Sequence, residues 1–436
     1  MFAVSIISRY TREERGKSGD VNRAVFTIIY AAGGGGETEV IMKITEVKPI
    51  LANSFLYVRI ETDEGIYGVG ESGAWGFLNA SAEAMETFRT YLLGKDPLLI
   101  EHHWQYMYRC FHFRGAAIMG AISAIDIALW DIAGKYYNVP VYQLLGGRCR
   151  DRIRTYYHVG GSTTEELVES CVKAKKLGYN AVGHLSPFLD EPRGKRYYES
   201  YGNMISNAVD RVRQLREAVG NDMDLCLELH RRMKPGEAIA FAEKVAPYTP
   251  FFLEDPVTPD NFDEMALIAN RSAVPIATGE RIHTIQEFEM LFSRNAMAYA
   301  RTSVCLCGGI SGARKIAHIA EAHGVQIVPH NPLSPISTAA CMQVAASVEN
   351  FALQELPDHE GISATERYTS TNTMDQKSFS QKDMVTWVPR VENGFALLPE
   401  TPGIGCDLVP DVEKRFPFKR RTINTRLSVD GSIVDQ

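Results

Sequence analysis

The chain lacks a Cys-x-x-Cys pair, an excess of basic residues and any apolar run approaching about 20 residues, the length a membrane helix needs. Its eight cysteines are scattered from Cys110 to Cys406, which excludes a disulfide-stapled scaffold. They read as small buried hydrophobes in a reducing compartment, the cytoplasm by default. Cys305 and Cys307 stand two apart and would share one face of a strand, but no nearby His or Cys completes a zinc set. With 46 Lys+Arg against 53 Asp+Glu and a net charge of -7, a broad nucleic-acid surface is excluded as well. Without a long apolar run no membrane partner is expected, and Phe2 to Ile7 is too short for a signal-peptide core. What is present is 436 residues, 45 % hydrophobic, enough for two or three domains or for one barrel with an appended module. The partners expected are a small molecule and further copies of the chain, as a homo-oligomer.

Residues 1–41 mix charges without period and end in Gly33 to Gly36, so they read as a flexible leader. From Met42 the pattern turns to strand alternation through Phe55 to Ile60 and Tyr67 to Gly70. A long apolar helix follows over Gly115 to Lys135. Residues 42–150 are thus an α+β domain. Beyond Gly146-Gly147, short apolar runs end near His158, His184, Glu228, Glu254, Glu280, Ser303, His330 and Glu355, mostly at intervals of 23 to 27 residues. Eight strand–helix units at that spacing predict an α/β fold of the (β/α) barrel type, with function at the C-terminal strand ends, over residues 151–385. A doubly wound sheet would carry a Gly-x-Gly-x-x-Gly turn after its first strand, whereas the chain reads His158-Val159-Gly160-Gly161-Ser162. The single 44-residue interval holds a loop, Ser186 to about Asn203, expected over the active-site face. Residues 386–436 are expected to return to the first domain and to end in a flexible tail.

Glu228, Glu254 and Glu280 close three consecutive strands 26 residues apart. On adjacent barrel strands they would point into one volume. Three carboxylates there must protonate or capture a cation, and oxygen donors select a hard ion such as Mg²⁺. The alternative is structural ion pairing with Arg231, Arg232 and Arg281. His230, two residues past Glu228, shares its face and is a candidate for proton transfer. His330 and Glu355 end the last two strands, across the barrel from the metal site, and are further catalytic candidates.

These residues resemble the enolase superfamily, in particular its branch of sugar-acid dehydratases that includes galactonate and mannonate dehydratases. The likeness is carried by Ala121 to Lys135 with Gln143 to Gly147, by Glu254-Asp255-Pro256 and Gly279-Glu280-Arg281, and by Gly308-Gly309-Ile310 and Pro329-His330-Asn331-Pro332. It implies a modified TIM barrel with an N-terminal α+β capping domain, Mg²⁺ on Glu228, Glu254 and Glu280, and abstraction of the proton α to a substrate carboxylate. The product would follow by loss of the β-hydroxyl, making the chain a Mg²⁺-dependent lyase acting on an acid sugar. By the same resemblance His230 takes the place of the acid that protonates the leaving hydroxyl. Glu355 takes that of a carboxylic acid hydrogen-bonded to the substrate carboxylate. Substrate contacts are expected from Trp75 in the capping loop Gly70 to Phe77, from Arg301 and from Glu355.

Two departures bear on activity. Racemase-like members carry Lys-x-Lys at the second strand end, where this chain reads Val182-Gly183-His184-Leu185. Members using a seventh-strand histidine as base orient it with an Asp at the position of Ser303, so His330 loses that partner. A racemase or epimerase on the same platform, and an acid-sugar-binding protein with little catalysis, are the alternative readings.

Overall fold

Alternating apolar residues build an antiparallel meander from β1 (Ile44–Ala52), β2 (Phe55–Thr62) and β3 (Tyr67–Ser72). The computed structural model describes residues 42–189, 196–357, 381–420 and 425–434; the expected leader and residues 190–195 of the long loop lie outside these. Helices α1 (Leu78–Leu92), α2 (Ile100–Arg109) and α3 (Ala116–Tyr137) cover the meander, and α4 (Val141–Leu144) leads out of it. Gly68 and Gly70, two apart on β3 and so on one face, let α3 lie directly on the sheet. A Cβ at either would sit 2.0 Å from the carbonyl oxygen of Ala128 or Ala124. One expectation needs correcting here: α3 has the length and hydropathy to cross a membrane, with a mean hydropathy of 1.7. Yet 78 % of that window is buried inside the protein, as befits a core helix.

The second layer alternates strand and helix: β4 (Arg152–His158), α5 (Thr164–Lys176), β5 (Ala181–Leu185), the short β6 (Arg196–Tyr197), α6 (Tyr201–Val219), β7 (Asp224–Glu228), α7 (Pro235–Val245), β8 (Phe252–Glu254), α8 (Phe262–Arg271), β9 (Ile276–Thr278), α9 (Ile285–Phe292), β10 (Tyr299–Ala300), α10 (Gly309–Ala322), β11 (Gln326–Ile327), α11 (Pro335–Ser347) and β12 (Gln354–Leu356). Helix starts follow their caps. Thr163, Ser200, Asn261, Thr284 and Ser334 each accept a first-turn N–H, and Thr284 with Glu287 forms a capping box.

Strands β4, β5, β7, β8, β9, β10 and β11 run parallel in that order, and β12 pairs in parallel with β4. The ladder does not close fully. Between β11 and β12 the ring is joined by one isolated bridge, Ile327 to Phe351. Inside it, Tyr156, Ala181, Cys226, Phe252, Ala277, Val328 and Leu353 form a small apolar cluster. Because side chains repeat their facing every second residue, that layer fixes what lies above it. His158, Glu228, Glu254, His330 and Glu355, each two residues further along, head for the C-terminal mouth.

The chain's last part serves both domains. Hairpin β13 (Val391–Glu392) and β14 (Phe395–Leu397) pairs with the first half of β4, while β12 pairs with the second. Around α12 (Val412–Arg415) the chain meets β1, through the Lys48–Glu413 ion pair at 2.7 Å and the Asn53 N–H to Phe416 carbonyl bond. Further along, β15 (Arg426–Ser428) and β16 (Ile433–Val434) form a hairpin, and β15 pairs with β6 of the long loop.

The two layers are stitched together around Gly308-Gly309. The Trp104 Nε1–H of α2 donates to the Gly308 carbonyl, Gly308 N–H donates to Ser123 Oγ, and Ser311 N–H donates to Asp126 Oδ2 of α3. Gly309 has φ +72°, and a Cβ there would meet Asp126 Oδ2 at 2.3 Å, so both the backbone and the space require glycine.

Candidate active site at the barrel mouth

Glu228 and Glu254 end β7 and β8, and Glu280 stands two residues past β9. The 26-residue repeat does bring them together. One carboxylate oxygen from each lies within 4.8 Å of the others. Burial, then repulsion from Glu280, pushes Glu228 well above the usual carboxylate range. Burial also pushes Glu254 up, with Arg301 opposing. Glu280 runs the other way: His330, Arg231 and Arg301 outweigh its burial and hold it low. Glu228 Oε1 is buried and accepts no hydrogen bond among the described residues. Three hard oxygen donors, one of them unsatisfied, suit a hard divalent cation.

Arg231 Nη1 lies 2.6 Å from Glu280 and 3.3 Å from Asp255, whose other oxygen accepts from Thr278 Oγ1. Glu280 is therefore both ion-paired and turned toward the triad. His230 Nε2 sits 3.2 Å from Glu228 Oε1, and His330 Nε2 sits 3.2 Å from Glu280 Oε2, so the two histidines flank the triad. Burial, followed by His184 and Arg231, holds the His230 pKa well below the ordinary histidine range. The Nδ1 of His330 is buried and has no hydrogen-bond partner among the described residues.

Two expected substrate contacts are placed differently. Arg301 is 1 % exposed and fully committed: its Nε donates to Glu254, its Nη2 to Glu355 at 2.6 Å and to Tyr156 OH at 3.1 Å, and its Nη1 to the Val328 carbonyl. It lies beneath the carboxylates and holds them, rather than facing a ligand. Glu355 Oε2 also accepts from Asn331 N–H at 2.7 Å, and its Oε1 lies 3.0 Å from His158 Nε2. Burial opposes its charge, but Arg301 and His158 outweigh that and keep its pKa well below the usual range. Trp75, 46 % exposed, stands on the capping loop after β3. That loop is pinned to the segment following β10 by the Gly73 N–H to Cys305 carbonyl bond of 2.7 Å.

Tyr156, His158 and His184 at the mouth were not picked out as site residues by sequence; with His230 they form a run of ring contacts, with centroids 5.5, 5.2 and 5.6 Å apart in turn. His184 Nδ1 lies 3.4 Å from Glu228 Oε2. The signal for His158 and His184 was the strand-end recurrence itself, which marks them as it marks the glutamates. Gly183 carries no base for a steric reason: a Cβ there would lie 2.4 Å from the Tyr156 ring.

Comparison with known proteins matches both domains of the chain. The family described as Mandelate racemase / muconate lactonizing enzyme, N-terminal domain matches residues 40–146, and Enolase C-terminal domain-like matches residues 166–412. A D-galactonate dehydratase of Verminephrobacter eiseniae (strain EF01-2) is 34 % identical over 374 residues, covering 84 % of this chain and 92 % of that one. Another from Xanthomonas oryzae pv. oryzae (strain PXO99A) is 34 % identical over 376 residues, covering 86 % and 94 %. Among solved structures, an enolase from Pantoea ananatis with bound D-gluconate and Mg superposes with TM-score 0.79 at 29 % identity, covering 91 % of this chain and 100 % of that one. An enolase from Agrobacterium radiobacter with bound Na and L-malate gives 0.81 at 27 %, covering 90 % and 100 %. With both domains matched, and relatives named for that chemistry aligned over most of its length, the chain belongs to the enolase superfamily, in its sugar-acid dehydratase branch.

Proposed function

We propose that this chain is a Mg²⁺-dependent hydro-lyase that removes the proton α to the carboxylate of an acid sugar and eliminates water from the neighbouring carbon. The observation that carries the reading is the convergence of Glu228, Glu254 and Glu280 between His230 and His330. A divalent cation on the triad would supply Lewis-acid stabilisation of the charge that develops on the substrate carboxylate, since an α-proton there is very weakly acidic. The protein's own part is proton handling. His330 Nε2 is placed to take the α-proton, and His230 to protonate the departing hydroxyl. His230 is neutral in the free site, so its acid role relies on the negative charge of a bound acid sugar to draw a proton onto it. Arg301 keeps Glu355 ionised and holds the Glu254 side chain in place, which maintains the triad's geometry before a ligand arrives. Trp75 and its loop are the proposed substrate-side wall.

The test is direct. Glu228→Gln, Glu254→Gln and Glu280→Gln each remove a charged ligand and should weaken Mg²⁺ binding by tenfold or more in titration calorimetry. A library of acid sugars should yield 2-keto product with Mg²⁺ and none without it. Unchanged Mg²⁺ affinity in all three variants would reject the metal site. A second reading, an acid-sugar-binding protein with little turnover, is favoured by the Nδ1 of His330, which has no partner among the described residues. It predicts Mg²⁺-dependent ligand binding without keto product. Eight unpaired cysteines support a cytoplasmic setting. Exposed Phe77, Phe111 and Phe113 support assembly of several copies, which sedimentation would check.

A further inference from the structure

Beside the carboxylate triad lies a second set of donors of different chemistry. His184, Glu228 and His230 each offer one ligand atom, all within 4.8 Å of one another. We propose that these three residues form a second cation site, sharing Glu228 with the triad and selecting a borderline transition ion such as Zn²⁺ or Co²⁺ over Mg²⁺. It rests on the triad reading only in that Glu228 is common to both.

Three observations converge. The first is spacing. His230 Nε2 is 3.2 Å from Glu228 Oε1 and His184 Nδ1 is 3.4 Å from Glu228 Oε2. These contacts are to opposite oxygens of one carboxylate, and one ligand atom from each of the three residues lies within 4.8 Å of the others, against roughly 3.3 Å between ligands held at about 2.0–2.1 Å in a tetrahedron, so the side chains must draw in by about an ångström to admit an ion. The second is the orphaned acceptor. Glu228 Oε1 is buried and receives no hydrogen bond among the described residues although an imidazole nitrogen stands at 3.2 Å, so the two groups converge without bonding each other. The third is backbone. His184 and His230 both adopt left-handed φ, +53° and +50°, a conformation costly for non-glycine residues, and the two imidazoles meet edge to face across β5 and β7. Both side chains are about a quarter exposed (29 % and 25 %), which leaves an entry path.

Two imidazoles and one carboxylate suit zinc, cobalt or nickel, whereas Mg²⁺ prefers oxygen throughout. A carboxylate shared between two ions is a common arrangement of two-metal sites. An ion held here engages His230 Nε2, so it withdraws that histidine from proton transfer and inhibits turnover.

The experiment uses the full-length protein, stripped of metal, saturated with MgCl₂ and titrated with CoCl₂ under visible absorption. The expected result is one equivalent of Co²⁺ with the intense bands of a low-coordinate site containing nitrogen, retained in excess Mg²⁺. His184→Gln and His230→Gln should each weaken Co²⁺ at least ~10-fold, while Glu254→Gln weakens Mg²⁺ and keeps the cobalt bands. One-for-one displacement of Co²⁺ by Mg²⁺, or undiminished bands in both histidine variants, overturns the proposal. If a histidine variant does not fold, the competition in the unaltered protein decides by itself. Cobalt bands retained in a protein that binds no Mg²⁺ would reject the triad reading and leave this one standing.

Discussion

At the scale of single residues, His330 and His230 differ in what holds them. His230 follows Glu228 on one strand end, and its approach to that carboxylate is set by β7. His330 faces Glu280, but nothing among the described residues holds its inner nitrogen, and by the resemblance Ser303 stands in the sequence where other members carry an orienting Asp. If His330 is the base, His330→Asn should abolish exchange of the substrate α-proton with solvent deuterium. His230→Asn should block water loss and leave exchange measurable. Ser303→Asp, by restoring a negative partner, should raise the exchange rate, on the order of the 10–100-fold that such outer partners contribute to related sites. Persistent exchange in the His330→Asn protein would reject the assignment and turn attention to His184. The glutamates were readable in the sequence because their spacing repeats. The partners of Arg301 were not readable, because an arginine at a strand end gives no sign of whether it faces ligand or floor. Only the inward cluster around Tyr156 shows that it lies beneath the carboxylates.

At the scale of elements, apolar runs with a constant interval betrayed the barrel strands, even though β9, β10 and β11 are only two or three residues long. The pairing of β15 with β6 was not readable, because two short polar-flanked strands more than 200 residues apart leave no periodic trace. Nor was the role of Glu71. This carboxylate on β3 reaches the start of α11, where it accepts from Ser334 N–H and Oγ–H and from Ser337 N–H. It joins capping domain to barrel just after the His330 strand end. Burial raises its pKa from 4.5 to about 7 against those three donors. The folded state therefore holds the Glu71 proton at a pH where the unfolded chain has released it. The associated stability is complete below about pH 4.5 and declines as pH rises to about 7. The size is on the order of 3 kcal/mol from the shift alone. Glu71→Gln should flatten the pH dependence of urea unfolding across that window. An identical slope in variant and parent would show that Glu71 is ionised in the folded protein.

At the scale of the whole molecule, the triad makes stability depend on the cation. Without one, burial and mutual repulsion keep Glu228 and Glu254 protonated above the usual carboxylate range, whereas the unfolded chain loses those protons near pH 4 to 5. Over that interval the folded state binds more protons, so raising the pH weakens the metal-free protein. A cation competes with those protons and must displace them, so its apparent affinity rises with pH as the carboxylates ionise. The two effects reinforce each other. The stabilisation added by Mg²⁺ should be small in mildly acidic buffer and larger at pH 8, reaching about 2.7 kcal/mol where its concentration is 100 times the dissociation constant. Calorimetric scans with EDTA or MgCl₂ at several pH values would measure it, with proton release on binding as an independent check. In Glu254→Gln the pH dependence of the increment should shrink. A magnesium increment that is constant across pH, with no protons released, would mean that the triad is already fully ionised in the metal-free protein, held so by Arg301 and Arg231.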